Sequence, residues 1–417
     1  MTHILSMKKR TDRALPVILF AIFLDLVSNG ILILVIPPLL ADPTSPSYLL
    51  PSYIPTEYSY ILLGFLIAAW PLMQFFSTPI VGEYSDYYGR KKVLALTLAI
   101  TGFSFCILSV GVITQNLFLL FAARIIGGIG GGNISVAQAA IADITPPAQR
   151  AARFGLVGAA YGIGFIIGPV IGGVLSDPTL VSWFTSSTPF WAAAILSFIA
   201  ALLIQISMPE THVPTQKFNI AWFSAIMHII RAYGMKNLRG IFATTFLFHS
   251  GITLFATFFT VFLLNEFHLN QTDIGYYIAY VGVWMILTQG LFLRILSRKL
   301  DEITLLRIFL IVGAVSIFAY YFPDKLTGLL LVGACFALTN GISMAVLPSL
   351  VSRRSNESVQ GEILGINASI QALAQVGPPI LAGFLAAKIA PAAPIYISAF
   401  IIGFSWIVFL LFVRREN

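Results

Sequence analysis

Charge is what this chain has least of. Of its 417 residues, 10% are Asp, Glu, Lys or Arg and 58% are hydrophobic, with a mean hydropathy of +0.90. Soluble domains carry roughly a quarter charged residues, so the composition argues against a water-soluble globule and for an integral membrane protein. Cysteine and histidine are also scarce. The two cysteines, Cys106 and Cys335, lie in apolar runs in different halves, which argues against a structural disulfide or a metal site. The five histidines are not clustered. An enzyme working at membrane depth would need grouped His, Asp, Glu or Cys, so neither an enzyme nor a cofactor is expected. A cleavable signal is missing as well: Lys8, Lys9, Arg10 and Arg13 lead straight into a run of full spanning length, read as an uncleaved first span.

What the chain has instead is long apolar runs. A spanning helix needs about 20 apolar residues, and about twelve such runs are found. They lie near 16–40, 58–82, 92–113, 116–142, 154–176, 188–208, 240–266, 272–296, 303–322, 326–351, 360–387 and 391–413. Their lack of strict alternation excludes a strand barrel. The expected fold is therefore all-α, with twelve transmembrane helices. With both termini inside, all but three of the 24 Lys and Arg fall on the inner side, the exceptions being Arg124, Lys325 and Lys388. That bias sets orientation and explains the net charge of +7. It reads as topology and contact with anionic lipid, not as nucleic-acid binding.

The longest inner loop divides the chain into a six-helix half at 1–208, a linker at 209–239 and a second six-helix half at 240–417. In the linker Phe218, Trp222, Ile226, Ile229 and Tyr233 recur at helical spacing, which predicts a short interfacial helix. Gly168-Pro169 in span five is echoed by Gly377-Pro378 in span eleven, and Asn133 in span four by Asn340 in span ten. Two such pseudo-symmetric halves with a site between them are a transporter architecture.

Charges at membrane depth are costly, roughly 2.5–3.5 kcal/mol on insertion scales, and functional by default. Asp25 in span one, Arg124 in span four and His249 in span seven are of this kind. Asp25 and Arg124 either pair or face one aqueous cavity. An Asp–Arg distance that changes with conformation could load and release a proton, while a fixed pair would merely lock two helices. His249 could serve the substrate or a simple interhelical hydrogen bond. Asn29, Gln74, Asn133, Gln138, Gln289, Asn340 and Gln371, together with His249, are the candidates to line a substrate cavity.

The loop between spans two and three reads GEYSDYYGRKK. Gly82, Asp86, Gly89, Arg90 and Lys91 fit the pattern Gly-x-x-x-Asp-x-x-Gly-Arg-Lys. The glycines allow a tight turn, Asp86 can serve a helix N-terminus, and Arg90 needs an acid, for which Asp143 is the natural choice. This loop resembles the signature loop of the major facilitator superfamily, where it latches the two halves in the outward-facing state. The resemblance implies gating roles, with Asp86 against the start of span eleven and Arg90 with Asp143. Arg124, Gly128 and Gly130 resemble the family's span-four motif, whose arginine is tied to proton transfer. Gly155, Gly164, Gly168, Pro169, Gly172 and Gly173 match the span-five motif of its proton-driven exporters.

Asp25, Gly30 and Pro37, with Thr288-Gln289-Gly290 and Gln360-Gly361-Glu362, are similar to the twelve-span drug–proton antiporters, nearest the tetracycline exporter branch. The chain departs from that branch at Ser28 and Leu34. The loop after span eight keeps Arg294, Arg298 and Lys299 but lacks the Gly-x-x-x-Asp core. The resemblance implies a secondary transporter of the cell membrane (inner membrane if Gram-negative), acting as a monomer. It would export a small organic compound against protons. An exporter of an endogenous metabolite such as a siderophore, or a proton-coupled uptake symporter, are the alternatives.

Overall fold

The computed structural model describes residues 2–43, 45, 47–51, 54–212, 224–235, 237–354 and 360–413. The chain forms α1 (Thr2–Ala41), α2 (Thr56–Tyr88), α3 (Arg90–Ile113), α4 (Leu117–Gly130), α5 (Asn133–Asp143), α6 (Pro147–Leu175), α7 (Thr188–Ser207), α8 (Ser224–Gly234) and α9 (Arg239–Phe267). It continues with α10 (Gln271–Leu287), α11 (Leu293–Leu296), α12 (Glu302–Phe318), α13 (Leu326–Arg353), α14 (Gln360–Leu373), α15 (Gly377–Lys388) and α16 (Ala393–Phe412). Among the described residues, eleven stretches are long and apolar enough to cross a membrane, and Gly162–Leu175 within α6 is a shorter apolar one. The all-helical, multi-span fold expected from hydropathy is the fold observed.

Local chemistry sets the helix ends. Asn116 caps α4 by accepting from Leu119 N (3.3 Å), and Asn270 caps α10 by accepting from Asp273 N (2.8 Å), as short polar side chains do at N-caps. Gly89, with φ 97°, turns the chain between α2 and α3, a conformation open to glycine at little cost. Three spans are not plain helices. Span four breaks at Gly131-Gly132, so that Asn133 opens α5. Span eight passes through a π-turn at Thr288–Phe292. Span eleven is split between α14 and α15, where Gly377-Pro378-Pro379 restarts the helix; proline lacks the N–H that an unbroken helix would use. Pro169 and Pro348, by contrast, lie inside α6 and α13.

The chain divides into two compact units, one of residues 1–35 with 72–223 and one of 36–71 with 224–417. In the first, Ile18, Leu94, Leu98, Val136, Ile141 and Ile204 join one buried apolar cluster. In the second, aromatic rings dominate: Phe255, Phe259, Tyr320 and Phe336 stack at centroid separations of 4.5–6.4 Å. Tyr277 and Tyr320 bring their hydroxyls to 2.9 Å, and Tyr277 also donates to Leu329 O (3.2 Å). Outward-facing side chains such as Phe118, Ile206, Leu331 and Phe400 are largely exposed. So much bare apolar surface would be a liability in water; it is the surface that lipid tails solvate. In the linker, α8 is described, Phe218 and Trp222 lie outside the described residues, and so do the side chains of Ile226 and Tyr233.

Candidate functional site

The first cluster surrounds Asp25. This residue sits on α1, 3% exposed, and its Oδ1 has no hydrogen-bond partner among the described residues. It lines a small cavity with Ile22, Leu94, Leu98, Asn133 and Ile134. Asn133, also 3% exposed, lines the same cavity beside the carboxyl, and its own Oδ1 is likewise unpartnered among the described residues. Asn29 turns back along its own helix and donates to the Asp25 carbonyl oxygen (2.9 Å). Arg124 is buried on α4, but no ion pair among the described residues joins it to Asp25.

The break in span four is held from α2. Gln74 Nε2 donates to Gly131 O (2.8 Å) and Ser77 Oγ to Gly128 O (3.1 Å). These bonds add side-chain donors to the carbonyls around the break, where a helix end leaves acceptor capacity. The glycines here serve close approach: a Cβ on Gly130 would stand 2.6 Å from Thr101 Oγ1, and one on Gly132 2.9 Å from Val81 Cβ.

On the other side, α1 meets α6. A Cβ on Gly164 would lie 2.7 Å from Leu26 Cβ, and one on Gly172 2.9 Å from Ile31 O. Pro169 adds its ring, with Cδ 3.2 Å from where a Gly30 Cβ would be. Gly173 is buried, and Gly155 lies in α6 with surroundings outside the described residues. The glycines of span five thus let that helix run against the one that carries Asp25.

The second cluster is at the charged turn after α2. Arg90, 7% exposed, reaches three partners at once. Its Nε donates to Asp143 Oδ2 (3.1 Å), its Nη2 lies 2.5 Å from Asp86 Oδ1, and its Nη1 donates to Ser85 Oγ (2.5 Å). A planar guanidinium suits such forked contact. Asp86 lies in the last turn of α2. The acid at the N-terminus of α3 is a different one: Glu210 accepts from Arg90 N at 2.9 Å and from Lys91 N at 3.3 Å. Its Oε1 also accepts from Thr211 N (3.0 Å) and His212 N (3.2 Å). A Cβ on Gly89 would collide with this carboxylate. His212 Nδ1 stands 4.0 Å from Asp143 Oδ2. Sequence reasoning did not single out Glu210, Ser85 or His212. The available hint was an acid just past span six, facing a glycine-started helix that had no cap of its own. Gly82 has open space around it.

The remaining polar candidates are dispersed. His249 is buried on α9 with Nε2 unpartnered among the described residues. Asn340 is buried on α13 and lines a small cavity with Phe248, Phe336 and Thr339. Gln138 and Gln289 are exposed, the latter within the π-turn. Gln371 is half-buried on α14, where its carbonyl accepts from Gln375 Nε2 (3.3 Å).

The profile described as the Major Facilitator Superfamily matches residues 18–378. The chain is 29% identical to the tetracycline resistance protein of class C from Escherichia coli over 382 residues, 91% of each chain. It is 27% identical to multidrug resistance protein 2 of Bacillus subtilis over 372 residues, 87% of this chain and 88% of that one. Its fold is similar to that of the human organic anion transporter MFSD10, with a TM-score of 0.70 and 21% identity over 96% of this chain and 99% of that one.

Proposed function

Because the chain belongs to the Major Facilitator Superfamily, we propose that it is a proton-coupled antiporter that exports a small drug-like or tetracycline-like compound by alternating access. Membership makes it a multi-pass membrane transporter of small molecules rather than an enzyme. The finer reading rests above all on Asp25, a carboxyl enclosed in apolar spans with one oxygen unpartnered among the described residues. Such a group can hold a proton, and it stands on the helix against which the exporter-type glycines of α6 run. The likeness to tetracycline and multidrug resistance proteins supports the direction and the substrate class.

Asp25 is the proton acceptor in this reading, and Arg124 modulates it from span four. Alternating access in this reading moves the halves 1–208 and 240–417, with His249, Asn340 and the polar residues of the spans as the groups that serve the substrate. Gly82, Asp86, Gly89, Arg90, Lys91 and Asp143 gate the motion. The protein works as a monomer in the cell membrane with both termini in the cytoplasm. Each proton entering contributes about 2.3 kcal/mol per 100 mV, plus any pH gradient. The test is uptake of tetracycline and other cationic or zwitterionic drugs into inside-out proteoliposomes under an imposed pH gradient. Accumulation that collapses with the gradient, and is lost in Asp25→Asn while drug binding persists, is expected. Undiminished accumulation by Asp25→Asn removes Asp25 from the mechanism; no proton-linked movement of any compound overturns antiport.

A further inference from the structure

We propose that Asn133 is the positioning residue for Asp25: its amide serves the carboxyl in both protonation states and so sets the pH at which the proton is exchanged. This rests on the reading of Asp25 as the proton carrier, and it assigns Asn133 to the proton rather than to the substrate cavity.

The break in span four is what makes the contact. Had α4 run on unbroken, the residues after Gly130 would have followed its axis. Instead Gly131 and Gly132 interrupt the helix, and Asn133 starts α5 beside the carboxyl. Both side chains are 3% exposed. Around the shared cavity α3 presents Leu94 and Leu98, and α5 presents Ile134 beside Asn133, while α1 itself presents Ala21 and Ile22. None of these is charged, so among the described residues Asn133 is the polar group that lines the cavity with Asp25.

An ionised carboxylate only accepts hydrogen bonds, and a protonated one also donates; an amide has both a donor and an acceptor end. By turning over, Asn133 can give an N–H to the carboxylate or take the O–H of the acid through Oδ1. The Oδ1 atoms of both residues are unpartnered among the described residues, and both residues line the one cavity, which leaves each oxygen free to accept a bond as the amide turns. The two bonds are unequal: one to an ionised group is roughly twice as strong as a neutral one. Removing the amide therefore harms the ionised form more, and the proton is held to higher pH.

The experiment follows the modification of Asp25 by a hydrophobic carbodiimide, which reacts with the protonated acid. Peptide mass spectrometry would be run across pH on purified full-length protein, with Asp25→Asn as the blank. In Asn133→Leu, similar in volume, the labelling profile should move up by about one pH unit. Asn133→Gln should return it towards the wild type. If the leucine variant fails to fold, Asn133→Thr keeps the test, with an upward move of smaller size. An unmoved profile in whichever variant folds overturns the proposal, as does an Asp25 that is never labelled. Labelling needs no transport. A wild-type protein that moves no drug under a pH gradient would therefore overturn the antiport reading alone, while active transport with an unmoved Asn133→Leu profile would overturn this inference alone.

Discussion

Gly168 of α6 and Gly30 of α1 meet backbone to backbone. A Cβ built on Gly168 would stand 2.7 Å from Gly30 Cα and 2.7 Å from the Val27 carbonyl oxygen. The obstacle is main chain, which cannot step aside as a flexible side chain could. Gly168→Ala should therefore destabilise the protein by about 1–3 kcal/mol, as overpacking does, and Gly168→Leu should cost more. Gly365→Ala is the control, because nothing lies within 4 Å of its added methyl. Thermal unfolding in detergent would check this; equal stability of the two alanine variants would remove the close crossing from the account.

Arg90 binds Asp86, Asp143 and Ser85 together. Removing it strands buried or half-buried acceptors, so Arg90→Ala and Asp143→Asn should be strongly non-additive, with a coupling of about 0.5–3 kcal/mol. Arg90→Lys should restore little, because a single ammonium cannot reproduce the fork. A double-mutant cycle on unfolding and on transport rate measures the coupling; strict additivity would mean the contacts are incidental.

Glu210 closes the N-terminus of α3 through two backbone N–H groups. Loss of a capping acceptor typically costs about 0.5–2 kcal/mol, and a negative cap also gains from the helix dipole. Glu210→Ala should fall in that range, with Glu210→Gln between it and the wild type. Chemical unfolding of the three proteins checks the order, and an unchanged alanine variant would show the cap to be dispensable.

The hydroxyls of Tyr277 and Tyr320 are 2.9 Å apart inside the aromatic cluster of the second unit. Tyr320→Phe leaves Tyr277 its bond to Leu329 O, whereas Tyr277→Phe strands the fully buried Tyr320 hydroxyl. The second change should cost more, by about 1–3 kcal/mol for an unsatisfied buried group. The double phenylalanine variant should recover part of it. Thermal midpoints of the three variants would settle the ranking.

The fold was legible because hydropathy over about 20 residues is a sufficient signal in a lipid solvent. The Arg90–Asp143 contact was legible for a similar reason: a charge at the end of a span needs an opposite charge within reach. Glu210 was not, because its cap depends on the chain returning after span six to the start of α3, and nothing periodic encodes a return. That Asn133 shares a cavity with Asp25 was not legible either, since opposite sign pointed only to Arg124. Which residue faces Asp25 depends on the rotation of span four, and that rotation is set by a break at Gly131-Gly132 whose geometry the glycines announce but do not specify. The π-turn in span eight left no mark in the hydropathy.

That π-turn, Thr288–Phe292, amounts to one additional residue absorbed into a helix, as is common for such turns. Each α-helical residue advances the face by about 100°, so an extra residue in a regular helix would swing everything after it by that angle. The wide turn takes up the extra residue instead, and Leu293–Leu296, with Arg294 among them, keep about the face they would have in a regular helix one residue shorter. A homologue one residue shorter in this stretch could therefore lose the π-turn and still aim its basic loop in the same direction.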